Sequence, residues 1–198
     1  MRTVILTMLL LILLGILGAA VFVYSGVLNV AADEPHSALV YAVMETTRIR
    51  SIKAHASGIV VPAGYDSEAN IAAAAGHFAE HCVMCHGGPG VKPNEIAAGM
   101  YPTPPSLKHV RDRYTPAEIF WILKHGIKMS AMPTMADDGD AMLWSTVAFL
   151  ERLPGMSEED YNDLWMKAQA QNGGKGMSMG GMNMHSADEP TAEKSSKP

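Results

Sequence analysis

Apolar residues crowd the start of this chain, recur periodically through its middle and, methionine aside, become scarce at its end. From Thr3 to Ala32 there is no Asp, Glu, Lys or Arg, and Val4 to Val23 is almost wholly aliphatic. At a rise of about 1.5 Å per residue, about 20 such residues cross the ~30 Å hydrocarbon core of a bilayer. Residues 1–30 are expected to be a transmembrane anchor or an uncleaved signal, with Arg2 on the cytoplasmic side and everything after Tyr24 outside. Val30-Ala31-Ala32 has the small residues a signal peptidase accepts, so a cleaved signal is the competing reading. Both readings export the remainder.

Residues 31–65 are expected to hold a juxtamembrane amphipathic helix and a linker. Leu39, Val43, Ile49 and Ile52 fall on one side of Ala38 to Ala54, while Arg48, Arg50 and Lys53 point elsewhere. Such a helix either connects and covers the soluble domain or docks on headgroups or a partner subunit. Gly58 to Gly64, with Pro62, ends it.

Residues 66–155 carry three further helical signals. Ser67 is a cap, followed by Ile71, Ala74 and Phe78 at helical spacing toward Cys82. Thr115-Pro116-Ala117-Glu118 is a helix start with a capping box, Ile119, Ile122 and Leu123 give that helix its apolar side, and Gly126 stops it. Asp137, Asp138 and Asp140 precede Ala141 to Arg152, whose Leu143, Trp144, Val147 and Leu150 group inward beside Phe149. Pro154 and Gly155 close the domain. Residues 156–172 predict one more short helix, with Tyr161, Leu164 and Trp165 on one side, packing on the domain or on a partner. The tail, 173–198, is too poor in bulky apolar residues to offset its ordering entropy and is expected to be disordered.

Lys+Arg number 15 against Asp+Glu 20, for a net charge of -5, and no basic run exists, which sets nucleic-acid binding aside. The chain has only 2 Cys, and both sit in Cys82-Val83-Met84-Cys85-His86. A C-x-x-C-H places two thiols one helical turn apart, able to add to the two vinyl groups of one porphyrin, with the following imidazole beneath the iron. A Cys82–Cys85 disulfide is the main alternative in an exported chain. The immediate His86 and the lack of a strand–helix–strand pattern argue against it, and zinc would need further ligands that His77 and His81, upstream on the same segment, do not place suitably.

On these residues the chain resembles a class I c-type cytochrome over about Asp66 to Pro154. The resemblance implies an all-α fold, a small cytochrome c around one covalent haem c preceded here by the transmembrane helix. It puts Ala74 and Phe78 at the crossing of the N- and C-terminal helices of the domain. It gives Pro89, in Gly87-Gly88-Pro89-Gly90, the backbone carbonyl that holds the His86 imidazole, and it makes Tyr101-Pro102-Thr103-Pro104-Pro105-Ser106-Leu107 the extended wall of the haem crevice. Opposite His86, Met132 before Pro133 is the expected second axial ligand; Met129 and Met135 are packing or alternates, and His109 and His125 are rivals. The site residues are thus Cys82, Cys85, His86, Pro89 and Met132.

The implied function is one-electron transfer by a single-pass inner-membrane protein whose soluble domain faces the periplasm. It would work in a respiratory chain, with a membrane dehydrogenase or quinol-oxidising complex as donor and a terminal oxidase as acceptor. An electron-transfer protein rather than an enzyme is expected. The alternatives are a haem enzyme or gas sensor with a labile sixth ligand, or a copper-handling module. The last rests on Met177, Met179, Met182, Met184 and His185, soft donors suited to Cu(I), against the reading of an oxidation-tolerant tail.

Overall fold

The computed structural model describes residues 1–171. They form α1 (Arg2–Tyr24), α2 (Ala38–Ala56), α3 (Glu68–His81), α4 (Val83–His86), α5 (Glu95–Ala98), α6 (Val110–Arg113), α7 (Pro116–His125), α8 (Asp140–Arg152) and α9 (Glu158–Gln171). Short 3-10 turns at Leu107–His109 and Ala136–Asp138 precede α6 and α8. The described residues contain no strand, and Gly88 and Val91 make an isolated antiparallel bridge. The tail expected to be disordered, with Met177, Met179, Met182, Met184 and His185 of the alternative copper-handling reading, lies outside the described residues.

α1 is long and apolar enough to cross a membrane and contains no buried residue. α2 behaves differently in its two halves. Ile52 and Ala56 are buried where α2 meets α7, whereas Leu39 and Val43, expected on the same buried side, are 75% and 55% exposed. The single apolar stripe is split because α7 is only long enough to cover the second half.

The core is built on α3 and α8. Ala74 is fully buried and lets the two helices approach, while Phe78 fills the crossing with its ring 4.9 Å from that of Phe149. α9 packs on α3, so this helix belongs to the domain's own core, and its Tyr161 closes over Phe78 at 6.0 Å, edge-on. α7 joins α8 through Phe120, stacked on Trp144 with ring centres 4.3 Å apart. At its start the expected capping box forms, with the Thr115 N–H donating to Glu118 Oε2 at 2.8 Å and the Glu118 N–H donating to Thr115 Oγ1 at 3.3 Å.

Candidate functional site

Between α2, α7 and the proline-rich stretch lies a cavity of about 440 Å³, within the range of about 300–1,000 Å³ usual for small-molecule sites. Cys82, Cys85 and His86 line it, as do Ile119 and Leu123 from α7 and Met132 from the segment that follows. Cys82 ends α3 and His86 ends α4, and the His86 N–H donates to the Cys82 carbonyl at 2.9 Å, which fixes the one-turn offset between the thiols and the imidazole. Both thiols are free, and Cys82 is buried deeply enough for its thiol to be pushed up to about 12, first by desolvation and then by Cys85 and Asp138. Gly87 follows at φ +68, where a Cβ would stand 2.8 Å from the Val91 carbonyl oxygen, so the chain can turn away directly after the imidazole.

The partner of that imidazole corrects the expectation for Pro89. His86 Nδ1 donates to the carbonyl oxygen of Pro105 at 2.7 Å. Paired N–H and C=O groups of Gly88 and Val91, at 2.9 and 3.1 Å, pinch Pro89 and Gly90 into the tip of a tight turn. The Pro104-Pro105 run instead presents extended backbone whose carbonyls have no ladder to join, a signal that reading the nearest proline overlooked. Burial lowers the His86 pKa, and the bond to Pro105 opposes this only partly. A neutral ring with its proton on Nδ1 offers the Nε2 lone pair to a metal.

Another wall is a strap. Gly126, at φ +66, stops α7 and lies so close that a Cβ there would be 2.6 Å from the Pro133 carbonyl carbon. Ile127 N–H donates to the Met132 carbonyl at 3.1 Å, Met132 N–H to Ser130 Oγ at 3.2 Å, and Met135 N–H to the Leu123 carbonyl at 3.0 Å. The strap's far end is tied down by buried His77, whose Nε2 donates to Asp138 Oδ2 at 3.0 Å and whose Nδ1 lies 3.2 Å from Thr146 Oγ1.

Of the other candidates, Met135 and His109 also line the cavity, the latter largely exposed and beside Asp112 at 3.2 Å. Met129 is 80% exposed and lies outside the cavity lining, and His125 is exposed against the Trp121 ring at 5.1 Å. Met100 lines the cavity as well. It lies in an irregular stretch where no period points a side chain inward, so sequence reasoning missed it.

Residues 69–150 match the family model described as cytochrome C oxidase, cbb3-type, subunit III. This stretch is a c-type cytochrome domain. No curated protein and no solved structure matches the chain. A c-type cytochrome implies haem c and haem-based electron transfer, and the donor set agrees: two free thiols, one imidazole with Nε2 available, and thioethers share one cavity with aliphatic walls.

Proposed function

We propose that the chain is a membrane-tethered cytochrome that carries one electron at a time between membrane and periplasmic redox partners. One observation carries the reading: the cavity brings Cys82, Cys85 and His86 together with Met132, from a segment 46 residues further on. Bound through the two thiols, haem c supplies a reversible one-electron couple at iron. The protein residues then fix its environment. Cys82 and Cys85 would hold the porphyrin in one orientation, His86, its tautomer set by Pro105, would give the nitrogen ligand, and Met132 would give the sulfur ligand. Ile119 and Leu123 exclude water, which keeps reorganisation on electron transfer small. With His86 and Met132 both committed to holding the haem, no position would be left open for bond-making chemistry, which is why we read the domain as a carrier. The description of the matching family points to a terminal oxidase as acceptor, and α1 would hold the domain at the periplasmic face of the inner membrane.

Substitution of Met132 decides the matter. Met132→Ala should abolish the low-spin ferric spectrum, lower the midpoint potential and allow carbon monoxide to bind the reduced protein rapidly. Met100→Ala and Met135→Ala should change none of these. An unaltered ferric spectrum and midpoint in Met132→Ala would sink the proposed ligand set. Rapid carbon monoxide binding by the unmodified protein would instead favour a sensor or enzyme.

A further inference from the structure

Helix α2 lies wholly outside the stretch that matches the family, yet Tyr41, Glu45 and Arg48 on it line the same cavity as Cys82, His86 and Met132. Their spacing of four and three puts them on one side of the helix. The segment is gripped at both ends. The His36 N–H donates to Tyr101 Oη at 3.0 Å, with the two rings edge-on at 5.0 Å, and Ile52 and Ala56 are buried where α2 packs on α7. Tyr101 opens the proline-rich wall, so residues 36–56 bridge that wall and α7 across the crevice.

Arg48 is the ordered cation of this lid. Its Nη1 donates to Tyr114 Oη at 2.7 Å, and its Nε and Nη2 donate to the Glu45 carboxylate at 3.1 and 2.6 Å. A guanidinium has five N–H donors in a rigid fork, so two remain, one on each terminal nitrogen. The other basic side chains lining the cavity are held less firmly: Arg113 is exposed, and the His109 and His81 side chains are 75% and 47% exposed, against 33% for Arg48. A charged group already held in place loses little entropy on meeting an anion.

We propose that the juxtamembrane helix is a wall of the haem pocket and that Arg48, positioned by Glu45 and Tyr114, pairs with a carboxylate on the porphyrin edge. This rests on the reading that the cavity holds haem c. The porphyrin of haem c bears two carboxylates, planar anions that the free side of a guanidinium fork can meet. The tether and the redox centre are then mechanically one unit. A cation at this place stabilises the ferrous state, which carries one positive charge fewer than the ferric, and so raises the midpoint potential.

The test is a redox titration of the full-length holoprotein with haem content checked by mass. Arg48→Ala should lower the midpoint by an amount equivalent to about tenfold in the electron-transfer equilibrium, ~59 mV for one electron. Arg48→Lys, which keeps the charge, should recover most of the shift, and Glu45→Gln should move the midpoint upward. A purely structural role for Arg48 would not give opposite signs for the two partners. An unchanged midpoint in Arg48→Ala with haem mass and ferric spectrum intact, or shifts of the same sign in Arg48→Ala and Glu45→Gln, overturns this proposal and leaves the carrier reading standing. Absence of haem mass from the unmodified protein overturns both.

Discussion

Gly126 shows how much of the site rests on a residue with no side chain. Its left-handed backbone turns the chain at the end of α7, and the strap carrying Met132 passes within 2.6 Å of where a Cβ would be. Gly139 also sits in the left-handed region, at φ +80, but has open space around its Cβ position. The pair separates backbone strain from steric displacement. Both Gly126→Ala and Gly139→Ala should cost on the order of 1–3 kcal/mol of stability from the unfavourable φ, read as a lower thermal midpoint. Only Gly126→Ala should also disturb the ferric haem spectrum, because only there must the Met132–Pro133 backbone move. Equal spectra in the two variants would mean that the strap yields without carrying its thioether away. Gly126 was legible in the sequence as a helix stop, since a glycine after an apolar-periodic run is a local signal. Its second duty was not legible, because the contact with Pro133 exists only once the loop has folded back.

The helices themselves were the most readable level, and the reason is that caps and 3.6-residue periods are written in neighbouring residues. The Ser67 cap, with its Oγ accepting from the Asn70 N–H at 3.3 Å, and the Thr115–Glu118 box both form as their sequences dictate. α5 and α6 went unseen because four-residue helices have no period to detect. The exposure of Leu39 and Val43 went unseen because it depends on how far α7 reaches. Pro105 was missed for a related reason: which carbonyl meets His86 is decided by the course of two irregular segments. The crossing of α3 and α8 is where element-level packing carries the most weight. Phe78 is fully buried between Phe149 of α8 and Tyr161 of α9, so Phe78→Ala leaves a cavity shared by three helices. The expected loss is about 3–5 kcal/mol in chemical denaturation of the holoprotein. A loss below about 1.5 kcal/mol, the scale of a volume-conserving swap, would mean that α9 collapses into the gap and is not a fixed part of the core.

At the scale of the whole molecule the decisive question is what α1 does for a domain that does not touch it with any buried residue. The connecting segment 25–37 can extend at most about 3.3–3.6 Å per residue, so the domain stays within some tens of ångströms of the end of α1. With α1 in the membrane, as proposed above, confinement of that kind would raise the effective concentration of the domain near a partner fixed in the same membrane, without adding a contact. Replacing residues 1–30 with a cleavable export signal should therefore move the protein from the membrane to the soluble fraction while leaving haem mass, ferric spectrum and midpoint unchanged. Electron delivery to a membrane-bound acceptor should fall at equal total amount and return when the soluble protein is added in excess, since only local concentration has been lost. A shortened chain that stays with the membrane would point to the exposed start of α2, where Leu39 and Val43 remain uncovered, as a second attachment. Failure of excess soluble protein to restore the rate would show that α1 contributes contacts of its own to the acceptor, and a tether acting through concentration alone would then be the wrong account.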